Sequence, residues 1–141
     1  MNQLKEMLNN PEVRGVVRSK TNEIVIFHNR GVKDIYMLLA TKPQLLDGAY
    51  VADCVIGRGA ALLLVLGHVS QVFAQLISEQ AVHVLHAADI EIDYDTVVPN
   101  IINRDGTDIC PVEKLTMNIT DPNVAFEKIQ EFLINKNIIE A

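Results

Sequence analysis

From Val51 to Ser70 the chain reads VADCVIGRGAALLLVLGHVS, a polar turn at Gly57-Arg58-Gly59 that leads straight into a continuous apolar run. The run reads as a helix that is apolar all round, and such a helix has to be covered on every side, so the other elements must pack about it. Its first turn differs, because Arg58 and two glycines stand where backbone N–H groups have no partner inside the helix.

The flanking sequence supplies the cover. Leu4, Met7 and Leu8 recur at helical spacing and predict an amphipathic helix over residues 2–9, stopped by Asn9-Asn10-Pro11. Val13 to Arg18 and Glu23 to Phe27 are β-branched-rich runs joined by Ser19-Lys20-Thr21-Asn22, which predicts an antiparallel hairpin. Ile35, Leu38 and Leu39 share one face of a second helix over 31–40, ended by Lys42-Pro43. Residues after Asp47-Gly48 and through Asp53 read as a short extended or irregular piece, and Gly67 as the C-cap of the buried helix.

Val69 to Ile77 is apolar on both alternating faces, the mark of a strand covered on both sides, and is read as the central strand. Ser78 can cap the next helix, with Glu79 in its first turn and an end near Ala88. Ile90 to Val98 alternates as a strand. Pro99 to Pro111 breaks every period around an Asp105-Gly106 turn, residues 110–117 make a helical turn or two, and Asp121-Pro122 open a last helix with Ala125, Ile129, Phe132 and Leu133 on its buried stripe. Helices alternating with strands in the middle of the chain imply an α/β domain, three-layer αβα, with helices on both faces of the sheet and one domain over residues 1–141.

Composition narrows the partners. With 141 residues, 49% of them hydrophobic and 21% charged, the chain can bury a core without disulfides or metal. A net charge of −6 argues against a phosphate-tracking surface, so no nucleic acid is expected as partner. Ala60 to Leu66, the longest apolar run, is far short of a membrane span, and MNQLKEMLNN does not resemble a signal peptide. Cys54 and Cys110 stand outside any CxxC pair and suit a reducing compartment, which makes the cytoplasm the expected location.

Several residues carry chemistry. Arg58 between Gly57 and Gly59 at a helix start brings a guanidinium, N–H groups and the positive end of the helix dipole together, as a phosphate site does; the alternative is internal pairing with Asp53 or with the acidic loop. Asn103, Arg104, Asp105 and Asp108 make either a polar rim for ligand hydroxyls or a turn that satisfies itself, with Asp108 capping the next helix. Glu79 is either a pocket carboxylate or the acid that a first helical turn favours. His83 and His86 share a helix face without a third ligand at motif spacing, so no metal site is read. Cys54 reads as an inert small hydrophobe. Cys110, next to Pro111 at a helix start, is either a buried structural thiol or a nucleophile.

The succession of helix, hairpin, buried helix, strand, helix opening at Ser78-Glu79 and strand resembles the cytidine-deaminase-like fold. GRGAALLLVLG together with VPNIINRDGTDICPVEKL is similar to the family called domain of unknown function 1893. The resemblance implies the deaminase-like fold and brings no activity with it. Zinc deaminases need H-x-E at one helix start and P-C-x-x-C at the next. Here Gly57-Arg58-Gly59 occupies the first place, and Ala81 and Val84 stand where two cysteines would be. With those ligands missing, zinc-activated water is not supported.

The reading that follows is a deaminase-like scaffold without zinc or other cofactor that binds a nucleotide or nucleotide-sugar type molecule through Arg58, Gly57, Gly59, Asp53, Glu79 and the Asn103 to Asp108 loop. The alternatives are a non-zinc enzyme with Cys110 as nucleophile, and a structural or homo-oligomeric partner protein.

Overall fold

The computed structural model describes residues 1–29, 31–103 and 105–140. In chain order it runs α1 (Asn2–Met7), β1 (Gly15–Arg18), β2 (Ile24–Phe27), α2 (Lys33–Thr41), a short 3-10 turn at Pro43–Leu45, β3 (Tyr50–Ile56), α3 (Arg58–Leu66), β4 (Gln71–Ser78), α4 (Glu79–Ala87), β5 (Glu91–Val98), α5 (Pro111–Thr116) and α6 (Pro122–Asn135). The strands form one mixed sheet in the order β2-β1-β3-β4-β5. β1 lies antiparallel to β2 and β3, and β3, β4 and β5 are parallel. The two parallel pairs need crossovers, and α3 and α4 supply them.

α3 is the hub that its composition demands. Gly59 to Leu64 are all buried, and α2, α4, α5 and α6 pack against it. Val17, Val51, Val72 and Ile77 from the sheet meet Ile35, Leu63, Leu64, Leu85, Ile129 and Leu133 in the main core. The opposite face of the sheet carries α1, whose Leu4 and Leu8 sit on Val13, Val16, Ala52 and Phe73. Lys5 ties that small helix to Asp93 of β5 at 3.0 Å. An α/β architecture with helices on both faces is therefore present, with very unequal outer layers.

Two local readings change. The segment around Asp53, expected to be a short extended or irregular piece, is a full seven-residue strand, β3, in the middle of the sheet, and β4, expected to be central, is second from the edge. A strand buried on both faces should read as an unbroken apolar run, and Asp53 interrupts VADCVI. At the end of α3, Gly67 is the C-cap as expected; it keeps right-handed angles (φ −77°), and the left-handed conformation falls to His68 at φ 62°. Gly67 is small for reasons of space: a Cβ there would lie 3.0 Å from the Leu46 side chain.

The same holds for Gly59 in the first turn of α3, where a Cβ would come within 2.5 Å of Val112 Cγ1 on α5. The glycine lets α5 seat against α3. Gly59→Ala is expected to cost about 1 to 3 kcal/mol by overpacking, read as a lower midpoint in urea, and a Val112→Ala change in the same chain is expected to recover part of it because the two sites share one contact.

Candidate functional site

At the carboxyl end of β3 lies a cavity of about 400 Å³. This is where open α/β sheets usually hold ligands, since loops leaving the strand ends surround a crevice there. Its floor comes from β3 and from the first turn of α3, with Asp53, Gly57, Gly59 and Ala60. Asn29 and Gly31 after β2, Ile102 before α5 and Pro111 at its first position are exposed and make its rim. Val32, Val55, Ile101, Val112 and Phe132 give it largely apolar walls.

The rim is built by local hydrogen bonds. Asp34 in the first turn of α2 accepts from the His28 and Asn29 N–H groups and from Asn29 Nδ2, which bends the chain over the cavity. Across from it, Asn103 Oδ1 accepts from the Thr107 N–H at 3.1 Å, and the Gly106 N–H donates to the Asn103 carbonyl. Gly106 has φ +72°, the left-handed value its turn requires. Asp108 accepts from the Ile109 N–H and pairs with Lys114. Much of this loop therefore satisfies itself.

Of the residues singled out in the sequence, Asp53, Gly57, Gly59, Asn103 and Cys110 line the cavity. Glu79, Asp105 and Asp108 do not line it and are exposed, and Arg104 lies outside the described residues. Arg58 also turns away: its Nε donates to the Thr116 carbonyl at 2.7 Å and its Nη2 to the Ile119 carbonyl. The guanidinium thus satisfies carbonyls at the end of α5, as cations at helix C-termini do. Its partners are main-chain oxygens, neither Asp53 nor the acidic loop. His83 and His86 lie exposed on α4, and no group of three or more potential metal ligands occurs among the described residues.

The residue that sequence reasoning missed is Glu113, 2% exposed. Its Oε1 accepts from the Arg58 N–H at 2.9 Å and from the Ser78 hydroxyl at 2.7 Å, and its Oε2 accepts from the Ile101 N–H. Ser78 Oγ in turn accepts from the Ala81 N–H, closing the cap of α4. One carboxylate therefore joins the N-terminus of α3, the N-cap of α4 and the chain leaving β5, and it sits where the α3 dipole favours an anion. In sequence Glu113 looks like any first-turn acid of a short helix, so no signal marked it. Arg14 was missed as well. It is half-buried at the cavity wall, and among the described residues its guanidinium has no hydrogen-bond or ion-pair partner.

Both cysteines are among the residues that line the cavity. Cys110 is the N-cap of α5, and its N–H donates to the Ile101 carbonyl at 2.8 Å. Cys54 Sγ lies 3.8 Å from the Val13 carbonyl, with its side chain against the small core under α1.

Asp53 is the distinctive group. It is 8% exposed, and its Oδ1 accepts from the Val55 N–H at a long 3.4 Å. Among the described residues no hydrogen bond reaches Oδ2, and that oxygen is not sealed off, so the cavity is its outlet. Opposite it in the sheet stands Gly15, where a Cβ would lie 2.9 Å from the Phe27 ring and 3.4 Å from the Asp53 carboxyl carbon, so the glycine makes room for both. Burial pushes the Asp53 carboxyl up to about 7 from an ordinary 3.8, against a smaller opposing pull from the Val55 and Cys54 backbone N–H groups.

That value has a thermodynamic sign. Because the folded-state value is raised, the unfolded chain loses its proton first as pH climbs, so Asp53 subtracts stability between about pH 4 and 7, and the loss is complete above 7. The full cost is on the order of 4 kcal/mol. Asp53→Asn is expected to remove this slope, so that its stability gain over the parent is small near pH 4 and largest above pH 7 in urea titrations. Glu113→Ala is expected to act differently, lowering stability by about 3 kcal/mol or more because three donors lose their acceptor, with formate or acetate restoring part of the urea midpoint.

The comparisons with known proteins agree with this architecture. No curated protein matches the chain. Among solved structures, the crystal structure of a DUF1893 family protein from Thermotoga maritima superposes with a TM-score of 0.83 at 21% sequence identity, covering 92% of this chain and 87% of that one. At that identity the likeness concerns the fold. The family model described as domain of unknown function (DUF1893) matches residues 3–133, and the chain belongs to that family.

Proposed function

We propose that the protein is a ligand-binding domain on a cytidine-deaminase-like scaffold, taking a nucleotide or nucleotide-sugar type molecule in the cavity beside Asp53. Support for the scaffold comes from the two crossover helices α3 and α4, whose first turns meet at one point. A zinc deaminase takes its metal ligands from the starts of two such helices. Here the Glu113 carboxylate occupies the meeting point and accepts hydrogen bonds from both helix starts, a protein anion that completes the junction. Hydrolysis by a zinc-bound water is therefore not part of the reading.

The observation that carries the binding reading is the Asp53 carboxyl, buried and facing an apolar-walled cavity of about 400 Å³. That is the size and character of small-molecule sites, in which a few polar groups orient a mostly apolar ligand. Among the described residues Arg14 is the cation available to an anionic group, since Arg58 is committed to α5. Asn103 and the α3 turn at Gly57 and Gly59 complete the wall.

The test is a thermal-shift screen with nucleoside mono- and diphosphates, nucleotide-sugars and sugar phosphates, because a ligand that binds only the folded state raises its apparent stability. At least one nucleotide is expected to raise Tm at millimolar concentration, and Arg14→Glu to reduce the rise. A screen in which nothing shifts would end this reading.

A second reading has one observation in its favour: Cys110 lines the same cavity as Asp53, so a thiol and a carboxyl that exchanges its proton near neutrality share one space. On this reading Cys110 is a nucleophile. It predicts rapid alkylation of Cys110 near neutral pH in a Cys54→Ser background, lost in Cys110→Ser. A Cys110 that reacts only after unfolding excludes it.

A further inference from the structure

We infer that the cavity selects, through Asp53, a planar ring whose edge presents two adjacent N–H donors, the edge of a guanine-type base and not of an adenine-type one. This rests on the ligand-binding reading above and deepens it. The argument begins with what the floor offers. Glu113 is as deeply buried, but both of its oxygens are taken by protein donors. The thiols are weak hydrogen-bonding groups. Among the described residues Asp53 Oδ2 is thus the strong acceptor left for a ligand at the floor, and because the Val55 bond to Oδ1 is long and the Cys54 N–H pull on the carboxyl is weaker than its burial, the carboxylate keeps lone pairs to spare.

A carboxylate with both oxygens available matches two parallel donors side by side. The walls decide what carries them. Val32, Val55, Ile101, Val112 and Phe132 would strip water from an aliphatic ammonium without replacing it, whereas a flat ring presents apolar faces to them and keeps its polarity on its edges. A guanine-type base offers a ring N–H beside an exocyclic amine. An adenine-type base offers an amine beside an acceptor nitrogen, which would set a lone pair against a carboxylate oxygen. A site built to pair a buried polar group rejects strongly the analogue that leaves it unpaired.

Binding is then coupled to a proton. Among the described residues the charged and titratable groups about Asp53 are Arg14 ahead of β1, Asp34 on α2, Cys54 on β3 itself, and Cys110 and Glu113 on α5 and its cap. Asp34 opposes the Asp53 charge, and burial opposes it more strongly. Two donors from a ligand favour the ionised form, so the bound carboxyl titrates lower than the unliganded one, and affinity falls as pH drops through the unliganded value.

The experiment is calorimetric titration of the full chain with GMP and with AMP from about pH 6 to about pH 8. Both carry the same phosphate, so their affinity ratio isolates the base edge. GMP is expected to bind at least tenfold more tightly at about pH 8, and the preference to shrink about tenfold by about pH 6, with proton release on GMP binding alone. Asp53→Asn, checked for folding by circular dichroism, is expected to abolish the preference and its pH dependence. Equal affinity for the two nucleotides, or a ratio constant with pH, would overturn the base-edge inference and leave nucleotide binding standing. Failure of every nucleotide to bind would overturn both.

Discussion

The Glu113 carboxylate is the constraint on which the arrangement of this domain depends. Three donors from three separate segments converge on it: the first N–H of α3, the capping hydroxyl of α4 and the N–H of Ile101 after β5. Each of those segments would otherwise bury a polar group without a partner, at a cost of about 1 to 3 kcal/mol each. α5 carries Glu113 into place, and α5 is held in turn by Arg58 through the Thr116 and Ile119 carbonyls and by the close approach over Gly59. The polar turn Gly57-Arg58-Gly59 is therefore a clasp between α3 and α5. Its arginine points away from the helix N-terminus it introduces, and an acid from the other helix fills that terminus.

This exchange explains what was legible in the sequence and what was not. The hairpin, the all-apolar α3, the Ser78 cap of α4 and the Asp121-Pro122 start of α6 rest on local chemistry, in which a residue and its partner lie within a few positions, and the structure forms each of them. The Glu113 junction spans 55 residues to Arg58 and 35 to Ser78, and nothing local announces it. Arg58 was legible as an arginine at a helix start, but its direction depended on where α5 would dock. β3 was hidden for a related reason: the strand is buried, yet its Asp53 breaks the apolar pattern that identifies buried strands. The departure from pattern marked the functional candidate.

The candidate site was accordingly legible in part. Asp53, Gly57, Gly59, Asn103 and Cys110 come together around one cavity although they lie on β3, α3 and the loop before α5. Glu79 was read from its place in a first helical turn and Asp105 and Asp108 from the polar density of their loop, and charge near a turn serves caps and turns at least as often as ligands. Asp108 does so here by holding Lys114 and the Ile109 N–H. Arg14 could be found only through the sheet, because antiparallel pairing brings the start of β1 beside the carboxyl half of β3.

Two buried acids in one cavity wall receive opposite treatment, and the contrast separates scaffold from site. Glu113 has a donor for each oxygen and one more besides, so it completes the structure around it and has little left to offer a ligand. Asp53 has burial with little compensation: a long hydrogen bond from the Val55 N–H, a weaker pull from the Cys54 N–H, an oxygen facing the cavity, and a carboxyl that burial raises to about 7. A side chain of the same size without the ionisable proton would fold more favourably above neutral pH, because unpaired buried charge costs more than a neutral amide. Destabilising groups of this kind gather where pKa values are tuned for function. Gly15 opposite brings no side chain of its own, the space over it is taken by the Phe27 ring and by the Asp53 carboxyl, and the pocket walls are apolar, so among the described residues no protein cation or donor on that side calls for an acid at position 53. On the ligand-binding reading proposed above, an acid there meets donors that a ligand brings.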